Sequence, residues 1–279
     1  MTDGTVDTLL ADAIDMHVHG SPDVLPRKLH DIDIARKAKE GRLAGVLLKC
    51  HHCPTAARAF LVQQCIPGIA VFGSVVLNRN VGGLNPFTVE TEVKLGAKEV
   101  WLPTVSSVNH IRFNKGDLRL AVPVTGESGR LLPQLHEVLE VIAQTGVILG
   151  TGHLTPDESE QVIIAAQAKG VKKILVTHPE WEVTAMPVDQ QERLARRGVF
   201  FERCFYASNS DQRLPAEEIA RQIRKVGAAT TVLSSDFGQI FNEEPLQGFR
   251  RFIQTMLQHG ITPGEIEVMI KTNPRSLLQ

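Results

Sequence analysis

Eight strand-like runs, most of them followed by a helix-like segment, predict an α/β fold of the (β/α)8 TIM-barrel type over residues 1–279, read as one domain. Two further observations select the barrel. Eight such units in 279 residues match a fold that typically needs about 250. The first run ends in His17-Val18-His19-Gly20-Ser21-Pro22, where an open doubly wound sheet would favour a glycine-rich nucleotide turn.

The elements follow in order. Residues 13–18 form the first strand, and a proline-containing loop covers 20–29. The spacing predicts a helix over 31–40, with Ile34, Ala35 and Ala38 on one side and Gly41 as the stop. Residues 44–49 are continuously apolar until Lys49, as suits a strand buried on both faces. A helix over 55–64 precedes the third strand, 68–77, which opens into a polar loop over 78–83. Asn85 and Pro86 cap the next helix, and 99–104 is the fourth strand. Residues 111–124, turning at Lys115-Gly116-Asp117, read as a short β-hairpin inserted after strand 4. A helix over 132–144 buries Leu135, Val138, Leu139 and Ile142, and the fifth strand, 147–152, leads to His153. Thr155-Pro156-Asp157-Glu158 is a capping box, and its helix runs to Lys169 before Gly170. The sixth strand, 173–177, leads to His178; a helix over 189–197 and the seventh strand, 199–205, follow. A helix over 215–226 precedes the eighth strand, 230–234, which leads to Asp236. Residues 245–258 are helical, and Thr262-Pro263-Gly264-Glu265 caps a final helix.

Composition narrows the function. The chain is 43% hydrophobic and 22% charged, ordinary for a soluble globular protein. A formal net charge of −1 provides no field for nucleic acid or a membrane surface. No run of about 18 apolar residues suggests a membrane span, and the polar, acidic stretch 1–10 does not read as a signal peptide. Four cysteines, Cys50, Cys53, Cys65 and Cys204, are too few for a disulfide framework and fit a cytoplasmic setting. Cys50-His51-His52-Cys53 would need a second close ligand pair to hold structural zinc; the sequence shows none, so it reads as the loop after strand two.

In a barrel the active site lies at the C-terminal ends of the strands. Those ends carry His17 and His19 on the first strand, Lys49 on the second, His153 on the fifth, His178 on the sixth and Asp236 on the eighth. Alternation places Asp15, His17 and His19 on one face, so two imidazoles can grip one ion. Convergence from five strand ends points to a metal centre. Zn2+ is the ion that a His-rich, carboxylate-containing set favours.

This pattern resembles the amidohydrolase superfamily of metal-dependent hydrolases over the whole chain. The family's His-x-His after strand one matches His17 and His19; its histidines after strands five and six match His153 and His178. Its aspartate after strand eight matches Asp236, and Asn273-Pro274 is similar to its closing Asn-Pro. The resemblance implies one or two divalent ions that lower the pKa of bound water toward ~7, so that hydroxide attacks an amide, lactone or ester of a small molecule. Asp236 is then the general acid/base, and the ion, with His178 as the catalytic histidine, stabilises the oxyanion. Asp15 is expected to orient an imidazole.

Two departures stand out. Many relatives carry a lysine or glutamate after strand four, often a carboxylated lysine bridging two ions, whereas this strand ends Trp101-Leu102-Pro103-Thr104. Lys49 is the candidate substitute, either N-carboxylated and metal-bridging or an ammonium serving the substrate or the site. Only residues 1–12 precede strand one, so the accessory β-domain of larger relatives is not expected. The main alternative is a mononuclear metal-dependent decarboxylase of the same superfamily, which needs no bridging group. A phosphoesterase of the polymerase-and-histidinol-phosphatase type would carry Asp-x-His where Asp236-Phe237-Gly238 stands. A non-catalytic metal- or ligand-binding barrel would have no need of Asp236. The expected partner is a small-molecule substrate, and a homo-oligomer is the family-level expectation.

Weaker candidates surround this set. His51, on the face of Lys49, and His110, past strand four, are candidate substrate contacts, with an ordinary loop histidine as the alternative for each. Arg79, with Asn78, can hold a substrate carboxylate or phosphate. Glu180, close after His178, is either a substrate contact or structural. Glu202, inside strand seven, reads as structural and paired with an arginine, and Cys204 as a small buried residue. Trp101, Trp181 and Tyr206 either line the mouth or pack, and His30, His136 and His259 receive no role.

Overall fold

Short apolar runs rich in Val, Ile and Leu form strands that bury both faces, and the helices between them cover the outside. The computed structural model describes residues 3–209 and 214–279. Its strands are β1 (Ile14–Val18), β2 (Gly45–Leu48), β3 (Ala70–Val76), β4 (Ala97–Trp101), β5 (Ile148–Gly150), β6 (Ile174–Thr177), β7 (Phe200–Cys204) and β8 (Thr231–Ser234). They pair in parallel in chain order as one eight-stranded sheet. The sheet curls back on itself: Val18 bridges Phe237 in parallel, the His19 N–H donates to Phe237 O at 2.8 Å, and the Asp236 N–H donates to His17 O at 2.9 Å.

The helices are α1 (Asp3–Leu10), α2 (Asp31–Glu40), α3 (Ala56–Cys65), α4 (Pro86–Lys94), α5 (Val108–Phe113), α6 (Pro133–Thr145) and α7 (Pro156–Ala168). They continue with α8 (Val188–Ala195), α9 (Phe205–Asn209), α10 (Ala216–Val226), α11 (Pro245–Gln258), α12 (Pro263–Glu267) and α13 (Asn273–Leu278). Both expected capping boxes form, Thr155 with Glu158 and Thr262 with Glu265. Asn85 caps α4 by accepting from the Phe87 and Thr88 N–H groups. Asn273 donates to the carbonyls of Ala228 and Thr231 at 2.8 and 2.6 Å, pinning α13 to the start of β8.

The expected hairpin after strand 4 is absent. Residues 108–113 are α5, capped by Ser107 Oγ accepting from the His110 N–H, and a 3-10 turn follows over Leu118–Leu120. What remains of the β-like runs is two isolated bridges, Ser107 with Val122 and Thr125 with Leu131.

Side chains from successive strands fill the barrel interior, among them Ile14, Met16, Leu47, Val76, Trp101, Ile148, Leu175 and Val232, with Leu277 and Leu278 of α13 packed beneath. Two larger apolar belts lie between strands and helices. Among the described residues no helix is long and apolar enough to cross a membrane.

Alternation fails at one decisive place. In β1 the register with β2 runs Ile14 to Gly45 and Asp15 to Val46, then jumps to Val18 with Leu48. A bulge inserts one extra residue there. Met16 therefore stays in the interior while Val18 joins the outer belt, and His17 and His19 both reach the barrel mouth. Asp15 does not share their face. It lies toward the helix layer, in a small cavity lined also by Val18, Ile34, Ala38 and Val46.

Candidate metal centre

Parallel strands deliver their C-terminal ends to one side of the barrel, and the histidines gather there. His17 Nε2 and His19 Nε2 lie 3.1 and 3.0 Å from the same oxygen of Asp236, Oδ1. His178 Nε2 is 3.6 Å from Oδ2. The His17 ring centroid is 5.2 Å from those of His19 and of His178. His17, His19, His178 and Asp236 are all buried, and the ligand atoms of His17, His19 and Asp236 all fall within 4.8 Å of one another.

Backbone strain fixes two of the four. His178 has φ of 50° and Asp236 φ of 54°, a left-handed conformation that a non-glycine residue adopts only when its surroundings enforce it. The His178 N–H donates to Glu202 O, and the Asp236 N–H to His17 O. Gly238, φ 141°, lies so close to His19 that a Cβ there would sit 1.7 Å from His19 O. Gly152, φ 63°, turns the chain into His153, where a Cβ would meet Leu102 O at 2.3 Å.

The outer support of His17 is Glu202, whose Oε2 accepts from Nδ1 at 3.0 Å while its Oε1 accepts from Ser234 Oγ at 3.1 Å. A carboxylate on Nδ1 leaves Nε2 as the ligating atom. The role expected of Asp15 thus belongs to Glu202. Asp15 instead braces the backbone, its Oδ1 accepting from the N–H groups of Ser235 and His17 at 3.0 and 3.3 Å.

The cluster fits a metal ion. His17 Nε2 is buried without a hydrogen-bond partner, a costly state that a cation bound there relieves. Burial pushes His19 down to about 4 and His178 down to about 3, so both are neutral and able to ligate at neutral pH. Burial opposes the charge on Asp236, yet His17, His19 and His178 around it hold its carboxyl well below the usual range. For His17, burial is outweighed by Asp236 and Glu202, and its pKa rises.

The remaining sequence candidates divide. His153 adjoins the cluster, its ring 5.6 Å from His178, with Nε2 buried and unpartnered. Its Nδ1 is 3.0 Å from His110 Nδ1, and the two rings stack at 4.9 Å. His51 lies 5.0 Å from His19 by ring centroids, and its Nδ1 is held by Thr104 Oγ1 at 2.8 Å. Asn78 is part of that scaffold, donating to His51 O and Thr104 Oγ1 and accepting from the Thr104 and Ser106 N–H groups. Lys49 is 1% exposed, its Nζ without a hydrogen-bond partner and 4.5 Å from the Trp101 ring centroid. Burial lowers its pKa against the pull of Asp236 and Glu202.

Two candidates are elsewhere. Arg79 is exposed at the start of a 3-10 turn, off the cavity lining. Glu180 is buried in an ion pair with Arg203, whose guanidinium also meets Gln191 and Gln222, and it does not line the cavity.

Over the cluster opens a cavity of about 240 Å3, lined by His17, His19, His51, His110, His153, His178 and Asp236. Arg27, Gln239, Trp181 and Tyr206 complete its walls. No motif or periodicity marks Arg27 or Gln239, which sit in irregular loops and meet through a bridge between the two segments.

Residues 12–202 match a family described as a family of unknown function, DUF6282, and the chain belongs to it. No curated protein matches the sequence. Among solved structures, the chain is similar to an amidohydrolase from Pseudomonas aeruginosa, at 12% identity and TM-score 0.68 over 100% of this chain and 98% of that one. It is similar to the dipeptidase AC, a metallopeptidase of family M19, at 12% identity and TM-score 0.67 over 96% and 98%. It is also similar to a 2,6-dihydroxybenzoate decarboxylase complexed with 2,6-dihydroxybenzoate, at 11% identity and TM-score 0.56 over 95% and 98%. At such identities the likeness is one of fold, an eight-stranded parallel α/β barrel.

Proposed function

We propose that this DUF6282 protein is a metal-dependent hydrolase acting on an amide, lactone or ester of a small molecule. The observation that carries this reading is the convergence of His17, His19, His178 and Asp236 on one cavity, with buried imidazole nitrogens left unpartnered. Those residues would hold the ion, zinc being the best match to the donor set, with His153 and Lys49 the candidates for a second position. When bound, the ion lowers the pKa of water and polarises a carbonyl.

The chain supplies the rest. Asp236 is placed to accept a proton at its carboxylate and return it to the leaving group. Glu202 keeps the His17 ring in orientation through Nδ1. His110 and His51 offer neutral imidazoles to the substrate's polar atoms, since burial lowers both. Arg27, its Nε held by Asp23 at 2.7 Å, brings positive charge to the rim. Trp181 and Tyr206 give the cavity aromatic walls.

The test is turnover of ester, lactone and amide panels by wild type, His178→Asn and Asp236→Ala. Both variants are expected to keep the wild-type far-ultraviolet circular dichroism and to lose about 10²–10⁴-fold in kcat; wild-type turnover in either sinks the assignment. One observation favours a second reading, the mononuclear decarboxylase: the end of β4 presents the Trp101 indole, 5.6 Å from His17, where a bridging group would stand. One ion per barrel centre and an unmodified Lys49 mass, with carbon dioxide released from an aromatic acid, would support it. Two ions and a carboxylated Lys49 would support the hydrolase.

A further inference from the structure

The Cys50-His51-His52-Cys53 stretch lacks, in sequence, the extra ligands a metal needs, and the fold supplies them. The loop after β1 brings Asp23 against it. Cys50 and Cys53 are free thiols with their Sγ atoms 3.4 Å apart. His52 Nδ1 lies 3.0 Å from Asp23 Oδ1. Ligand atoms of Asp23, Cys50 and His52 fall within 4.8 Å of one another. Tetrahedral zinc with Zn–S bonds of ~2.3 Å separates two sulfurs by ~3.8 Å, near the spacing of this pair; Cys53 adjoins the three-residue group through Cys50 and would turn toward it to close on an ion.

We propose that Cys50, Cys53, His52 and Asp23 form a second metal site, separate from the barrel centre, that takes a thiophilic divalent ion such as zinc and clips the loop after β1 to the loop after β2. Paired thiolates with an imidazole and a carboxylate are the donors that select such an ion over magnesium or calcium. Charge balances locally. Two thiolates and a carboxylate exceed the ion's charge by one, and two guanidiniums flank the group, that of Arg58 also paired with Asp31 at 2.6 Å, so the sum is neutral. Arg27 holds Asp23 Oδ2 through Nε at 2.7 Å and Nη2 at 2.6 Å, leaving Oδ1 toward His52. Arg58 donates to Cys53 Sγ at 3.4 Å. The Asp23 side chain is fully buried, as a ligand held from outside by a partner should be. On binding, the two thiol protons leave to solvent and no redox step is involved. The clip bears on the barrel centre because His51, between the ligands, and Arg27, on Asp23, both line the cavity.

The test uses the whole protein loaded with Zn2+ or Co2+. Metal content by mass spectrometry is expected to fall by one ion per chain in Cys50→Ser/Cys53→Ser relative to wild type. Co2+-loaded wild type and His178→Asn are expected to show a thiolate-to-cobalt charge-transfer band that the double variant loses. In wild type, Zn2+ is expected to protect Cys53 from iodoacetamide while the exposed Cys65 reacts with or without metal; this arm needs no variant to fold. Unchanged metal content, a band that persists in the double variant, labelling of Cys53 indifferent to Zn2+, or a Cys50–Cys53 disulfide in the metal-loaded protein would each overturn the proposal.

Discussion

Asp15 shows how much one residue's face decides. Burial raises its carboxyl to about 7, against hydrogen bonds from Ser235 and His17 that favour the charged form. A folded pKa above the unfolded value of 3.8 contributes stability that is complete below pH 3.8 and lost as pH rises through about 7. Asp15→Asn keeps an acceptor for the Ser235 N–H and removes that loss. It is therefore expected to be more stable than wild type by about 2–4 kcal/mol at pH 8, with the gain shrinking toward pH 4; thermal melts across that range check it. His19 has the opposite sign. Its folded value of about 4, below the usual 6.5, makes its contribution complete above pH 6.5 and lost as pH falls toward 4. Histidine NMR titration of the metal-free protein should find it still neutral at pH 5. The facing of Asp15 was illegible in the sequence, because alternation assumes a regular ladder and a bulge has no residue signature in Asp15-Met16-His17-Val18. Glu202 was legible in part. Neighbours on a strand face opposite ways, so Glu202 and Arg203 cannot serve one another, and the structure sends Arg203 to Glu180 and Glu202 to His17.

At the level of elements, the strands and their connections do different work. Strand identities and most helices were readable because apolar runs, proline starts and glycine stops are local chemistry; the Thr155 and Thr262 boxes each predict a helix start that the fold contains. The segment after β4 was not. Ile111, Val122 and Val124 favour strand locally, yet Ser107 caps a six-residue helix there and ties it to His153 O through its Oγ at 2.9 Å, a contact between the loops after the neighbouring strands β4 and β5. The β8–α11 connection is tighter still. Gly238→Ala would drive a methyl into the His19 carbonyl, so a loss of at least ~3 kcal/mol and a weakened metal affinity are expected from denaturant melts and metal titration. The β7–α8–α10 layer offers a contrast. Breaking the buried pair by Arg203→Ala should cost about 3–5 kcal/mol in the same melts. The folded fraction should keep its KM, because Arg203 and Glu180 stay off the cavity.

Over the whole molecule, the candidate centre sits on the seam where β1 meets the end of β8. His17, His19 and Asp236 come from the two edges of the sheet, and the same edges share the hydrogen bonds of His19 with Phe237 and of Asp236 with His17. A bound ion therefore crosslinks the closure. Chelation is expected to lower the Tm through loss of the linkage free energy, ~4 kcal/mol of stability for an ion present at a thousandfold its Kd, and to speed amide exchange most at residues 17, 19 and 236. Uniform exchange changes around the barrel would argue against a seam site. The order of the ligands along the chain has a consequence for biosynthesis. A chain emerging from the ribosome carries His17 and His19 from the outset but lacks the Asp236 carboxylate until eight strands have been made. A site of that kind could not capture an ion at full strength before β8 is made, and a chain truncated ahead of Asp236 would lack its carboxylate ligand.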